Sequence, residues 1–150
     1  MTVTDESLAG AAHRLRAVVD APQYSGVGAA LDYLSDRPLP AGSIVRVPLG
    51  RRVVAAIVWP AGRGDDGSAT LDATELRPVA AVLSALPPLD VRWIELVDFA
   101  ARYYQRSAGE LALSVVPAEL RRLDDAQLAK RIARSERATR PGDGAEAPAD

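Results

Sequence analysis

One change of hydrophobic period divides this sequence, and it falls at Leu86-Pro87-Pro88-Leu89. Upstream of it, apolar residues come in short runs that alternate with polar or small ones. Downstream they recur at helical spacing. A period of two buries one face of a strand, and a period near 3.6 buries one stripe of a helix, so neither half suits the other's structure. The chain is therefore expected to be α+β, with β structure first and helices after.

The first strand is expected from Arg14 to Asp20, where Leu15, Ala17 and Val19 alternate with Arg14, Arg16 and Val18. Ala21 to Ala30 holds Pro22, Ser25, Gly26 and Gly28 and reads as a loop; a short extended piece, Leu31 to Leu34, follows it. From Ser43 the alternation returns as Val45, Val47 and Leu49, with Arg46 on the other face. Gly50-Arg51 can make a tight reversal into Val53 to Trp59, a segment apolar on both faces and so expected to be covered on each side. Pro60 to Thr70 reads as a loop, and Leu76 to Leu83 as a strand that Pro78 pushes to a sheet edge. Three or four such strands with hairpin connections make a small, partly closed, OB-like antiparallel unit.

Past the prolines, Asp90 is placed to cap a helix from Val91 to about Tyr104, with Ile94, Val97, Ala101 and Tyr104 on its apolar stripe and Trp93, Leu96, Ala100 and Tyr103 beside it. Ser107 and Glu110 have capping-box spacing and open a shorter helix that Pro117 ends or kinks, and Ala118 to Arg122 can add a further turn. Two or three helices are expected in all. Residues 1–13 are read as a flexible N-terminus and 14–122 as one domain. Residues 123–150, charged and poor in large apolar side chains, are read as a disordered tail or linker.

Several function classes can be set aside on content alone. With no cysteine and one histidine, His13, the 150 residues cannot hold a thiolate nucleophile, a cysteine-based zinc site or a site built on paired imidazoles. No apolar run approaches the length that spans a bilayer, and Asp5 and Glu6 stand where a signal peptide carries positive charge, so a cytoplasmic protein is expected. Gly26-Val27-Gly28 lacks the third glycine of a dinucleotide fingerprint, and no phosphate-loop motif occurs. Asp65 and Asp66 lie in a glycine-rich loop, and Glu95 and Asp98 share a helix with Arg102. Solvation and ion pairing account for them better than paired-carboxylate catalysis does.

The net charge of −2 is no footprint of a protein that grips nucleic acid by charge alone, yet Arg46, Arg51 and Arg52 gather around one turn. Trp93, Phe99, Tyr103 and Tyr104 can be drawn as a base-stacking platform, although their helical spacing favours a core role. Asp32-Tyr33 next to that arginine-flanked turn is the more informative group. Glycine lets a ligand approach the backbone closely, and Arg46, Arg51 and Arg52 are expected to contact and neutralise phosphates.

Leu31-Asp32-Tyr33-Leu34, then Pro40 to Arg52, Leu76-Arg77-Pro78-Val79 and Phe99-Ala100-Ala101-Arg102-Tyr103-Tyr104 closely resemble the N-terminal 3′ DNA-binding domain of the primosomal replication protein N′ (PriA) family. The resemblance runs in order from Leu15 to about Arg122. It implies a module that binds the 3′ end of the nascent strand at an arrested replication fork. Asp32 would accept a hydrogen bond from the terminal 3′-hydroxyl. Leu31, Tyr33 and Gly50 would line the last nucleotide's pocket, and Arg77 falls where the family has a basic residue closing it. Leu31 stands where many members carry phenylalanine and so offers no ring to stack on a base.

The family's helicase motors and zinc module do not occur in this chain, so zinc and ATP are not expected as cofactors, nor is enzymatic activity. The implied partners are single-stranded or forked DNA with a 3′ end and other primosome proteins, with no membrane. The alternative from a different class is a protein-interaction module in which the helix from Val91 to Tyr104 docks a partner and the β unit is scaffold.

Overall fold

Alternation along four strands builds the first layer of the molecule. The computed structural model describes residues 12–21, 30–61 and 75–139. It contains β1 (His13–Val19), β2 (Ala30–Ser35), β3 (Ile44–Leu49), β4 (Arg52–Trp59) and β5 (Ala81–Val82), followed by α1 (Val91–Tyr104), α2 (Ala108–Ser114) and α3 (Asp125–Thr139). The strands form one antiparallel sheet in the order β2-β1-β4-β3-β5. Register aligns the apolar positions of neighbours: Leu15 faces Tyr33, Ala17 faces both Leu31 and Val58, and Val47 faces Val54. All of these belong to one cluster, which also contains Val19, Val45, Ala56 and Val82.

The sheet rolls so that this cluster becomes an interior. Leu34 on β2 donates from its N–H to the Arg77 carbonyl at 3.0 Å and accepts at its own carbonyl from Val79 at 2.8 Å. The segment that leads into β5 thereby bridges to the opposite edge strand, a parallel bridge centred on Leu34 and Pro78. The result is a small OB-like unit, partly closed. Pro78 also shortens the expected strand over Leu76–Leu83. It has no N–H to donate, so pairing resumes only as the two residues of β5.

The outer face of the sheet carries the helices. Val18, Ile44, Ala55, Ile57 and Trp59 pack with Ile94, Val97, Ala112, Leu113 and Leu128. β4 is thus buried on both faces from Ala55 to Trp59, which explains its unbroken apolar run. The caps form as their spacing predicts. Asp90 accepts from the Arg92 N–H at 2.7 Å to start α1, and the Ser107 hydroxyl accepts from the Glu110 N–H at 3.1 Å to start α2. Gln105, at φ 53°, closes α1 in a left-handed cap.

Two expectations are corrected here. Residues 125–139, read as part of a disordered tail, form α3. Asp124 and Gln127 cap it reciprocally, Asp124 accepting from the Gln127 N–H at 2.7 Å and Gln127 from the Asp124 N–H at 3.1 Å. Leu128 is buried against the core, and Ile132 packs beside it. Three of the four aromatic residues of α1 are likewise not core. Phe99, Tyr103 and Tyr104 are 59%, 70% and 67% exposed, because the side of α1 that meets the sheet is the Ile94-Val97-Ala101 stripe with Trp93 beside it. Trp93 is half-buried, its ring edge-on to Trp59 at 6.3 Å. The N-terminus before Ala12, residues 22–29 and 62–74, where loops are expected, and residues 140–150 lie outside the described residues.

Candidate nucleic-acid interface

The β3–β4 hairpin fixes one end of the barrel. Leu49 pairs with Arg52, leaving Gly50 and Arg51 as the two-residue turn. Gly50 has φ +60°, while Arg51 has an ordinary negative φ, the combination of a type II′ turn that needs glycine in its first central position. No other atom lies within 4 Å of where a Gly50 side chain would begin, so the backbone there is open to approach. Arg51 and Arg52 project from this tip, both exposed.

Two side chains from elsewhere hold the hairpin. Tyr33, 3% exposed with its ring in the barrel interior, donates its hydroxyl to the Pro48 carbonyl at 3.0 Å. Arg77, itself exposed, donates from Nη1 to the Gly50 carbonyl at 2.9 Å. Burial pushes the Tyr33 phenol's pKa up, against a smaller downward pull from the Arg77 charge. Tyr33, Gly50 and Arg77 are therefore one connected group, and Leu31, two residues before Tyr33, shares its face of β2.

Asp32 stands on the other face. Strand alternation turns it outward, opposite Arg16 in the β1–β2 register. Arg16 Nε donates to Oδ1 at 3.2 Å, and Arg14 Nη2 donates to Oδ2. The Asp32 side chain is 8% exposed, against 14% for Arg16 and 39% for Arg14. Burial works to raise the carboxyl's pKa, but the hydrogen bonds and charges of Arg14 and Arg16 outweigh it and hold the group below the usual carboxylate range. Arg16 also faces Trp59, whose indole N–H donates to Asp98 of α1 at 3.0 Å, so this outward row abuts the helical layer.

The arginine pair was not among the candidate site residues. Its i, i+2 spacing on β1 places both on one face and is visible in the sequence. That this face meets Asp32 depends on register, which is not. Arg46 is placed differently from Arg51 and Arg52. Its Nη2 donates to the Arg121 and Leu123 carbonyls, each at 2.7 Å, tying β3 to the segment that precedes α3.

A pH dependence follows from Asp32. Its folded pKa is depressed, so below about 3.9 the unfolded chain binds more protons than the folded one, and stability falls as pH drops towards and through the folded value. Denaturant titrations across that acid range are expected to show the decline in the parent chain and a smaller one in Asp32→Asn. Equal declines would remove Asp32 as the cause.

The arrangement is an open backbone at Gly50 rimmed by the guanidiniums of Arg51, Arg52 and Arg77, a geometry suited to anionic oxygens. Among the described residues no group of three or more His, Asp or Glu gathers to hold a metal ion, and no helix is long and apolar enough to cross a membrane. The sequence model of the PriA 3'DNA-binding domain (3'BD) matches residues 16–117, a span that contains every strand pairing described above except the outermost residues of β1.

Proposed function

The chain belongs to the PriA 3′ DNA-binding domain family, and from that premise we propose that it captures the 3′-hydroxyl end of a nascent strand at a stalled replication fork, as part of PriA-type replication restart. The observation that carries the reading is the group of three exposed guanidiniums, Arg51, Arg52 and Arg77, around the open Gly50 backbone. Arginine forks suit phosphate oxygens, and such contacts hold a strand without selecting its bases.

In this reading the terminal nucleotide lies along the outer edge of β2. Towards Ala30 from Leu34, that edge has no strand partner among the described residues, so a ligand there reaches both faces of the strand. Leu31 supplies its apolar side, backed by the buried Tyr33 that holds the hairpin at Pro48, and Asp32 receives the 3′-hydroxyl. A carboxylate offers about four acceptor positions, of which the arginines use two, so a hydroxyl can still be accepted. Arg51, Arg52 and Arg77 neutralise the phosphates behind it, while Arg46 positions the fold. No metal or nucleotide cofactor is required, and the further partners would be other primosome proteins.

The test is fluorescence anisotropy with a short labelled single strand ending in 3′-hydroxyl, compared with the same strand ending in 3′-phosphate, at low salt. Tighter binding of the hydroxyl end is expected. Equal binding would reduce the module to a general arginine-driven DNA binder.

A second reading is favoured by one observation. Leu96, Phe99, Tyr103 and Tyr104 form an exposed apolar face on α1, in which Phe99 and Tyr103 stack at 6.0 Å. Such a face suits docking of a protein partner. Absence of binding to either DNA end would make this the better account.

A further inference from the structure

The α3 helix lies C-terminal to the matched residues 16–117 and carries a charge pattern that its anchoring does not require. At 100° per residue, Lys130, Arg134 and Arg137 fall within about 60° of one another. Leu128 and Ile132, which pack towards the core, lie on the opposite side of the helix, as do the acidic Asp125 and Glu136. The stripe of Lys130, Arg134 and Arg137 is exposed along its length and is not interrupted by an acid. Arg131, to one side of it, is occupied by Glu119 at 2.9 Å. A favourable interaction with the helix dipole accounts for Arg137 in the last turn, but not for Lys130 in the middle of the helix.

We propose that α3 is a second DNA contact, a phosphate rail for the duplex that adjoins the bound end. Two features select duplex DNA. Lys130 to Arg137 spans about 10 Å of helix axis, the length over which one duplex strand advances by roughly three phosphates at about 3.4 Å of duplex axis each. α3 also contains no aromatic residue, so it lacks the stacking surface with which single-strand binders hold bases. The fixed row of charges is anchored through Leu128, through the Asp124–Gln127 cap, and through Asp125, which accepts from the Ala85 N–H at 2.9 Å. The proposal rests on the DNA-binding character of the family and is independent of any 3′-hydroxyl preference.

The experiment compares the full chain with Lys130→Gln/Arg134→Gln/Arg137→Gln on two probes, a short duplex with a single-stranded 3′ end and that single strand alone, across a salt series. All three side chains are exposed, so the variant is expected to match the parent in circular dichroism and thermal midpoint. On the duplex probe its affinity should fall about tenfold or more at low salt, and the slope of log K against log salt should flatten by about 2 to 3. Binding to the single strand and the ratio of 3′-hydroxyl to 3′-phosphate binding should be unchanged. An unaltered slope on the duplex would overturn the proposal, and so would equal losses on both probes. Loss of binding to anionic lipid vesicles without loss on the duplex would assign the stripe to a membrane surface instead. A missing hydroxyl preference in the parent, with the duplex loss intact, would count against the end-capture reading alone.

Discussion

Gly109→Ala is expected to lower the unfolding free energy by roughly 3 kcal/mol, even though alanine is the better helix former by up to about 1 kcal/mol. Gly109 is buried in the first turn of α2. A Cβ built there would lie 1.9 Å from the Val19 carbonyl oxygen, 2.6 Å from its carbon and 2.9 Å from its nitrogen. These are backbone atoms at the end of β1, paired in register with β4, and they cannot rotate away as a side chain would. The helix must therefore shift outward. That shift loosens Ala112 and Leu113, which are fully buried between the sheet and α1. A change of this size is a large share of the 5–15 kcal/mol typical of a domain. Urea denaturation of parent and variant measures it directly. An unchanged or raised midpoint would mean that α2 does not seat on β1 as described. Ala108→Gly, on the same turn but only partly buried, serves as the control and should show a smaller loss of about 1 kcal/mol.

What the sequence made legible follows the range of the physics. Strand alternation and helix caps are local, so β1 to β4, the Gly50-Arg51 turn and both capped helices could be placed from residue spacing. α3 was also locally encoded, by the Asp124 and Gln127 cap followed by Leu128 and Ile132, but its charged surface hid a signal carried by two apolar residues. Periodicity says which side chains share a face, not whether anything covers that face. For this reason Phe99, Tyr103 and Tyr104 read as core and emerged exposed. Non-local contacts were the hardest. The pairing of Asp32 with Arg14 and Arg16 requires the β1–β2 register, and the barrel seam at Leu34 and Pro78 joins segments more than forty residues apart. Tyr33, Gly50 and Arg77 were named as one site from resemblance, and direct hydrogen bonds from Arg77 to Gly50 and from Tyr33 to neighbouring Pro48 connect them.

Asp32→Asn is expected to abolish the preference for a 3′-hydroxyl end over a 3′-phosphate end, with little change in binding to internal single strand. In the parent, the Asp32 carboxylate lies between the guanidiniums of Arg14 and Arg16 and offsets part of their charge. In the end-capture reading a terminal hydroxyl donates to the carboxylate, while a terminal phosphate would bring its oxygens against like charge. Hydrogen bonds to charged groups contribute about 1.5–3 kcal/mol, which corresponds to a tenfold or greater loss for the hydroxyl end. Asparagine keeps the shape and one acceptor, but its amide group presents donors where Arg14 or Arg16 already donates. With the negative charge gone, Asp32 no longer offsets the charges of Arg14 and Arg16, which favours a phosphate. The hydroxyl end should therefore weaken while the phosphate end holds or tightens, so that the ratio falls to one or inverts. Arg14→Gln separates the two contributions. It leaves Asp32 with Arg16, removes one positive charge from the row, and should increase discrimination against the phosphate end. If Asp32→Asn instead weakens both ends and internal strand alike, with an unaltered circular dichroism spectrum, Asp32 serves the barrel rather than the end of the strand.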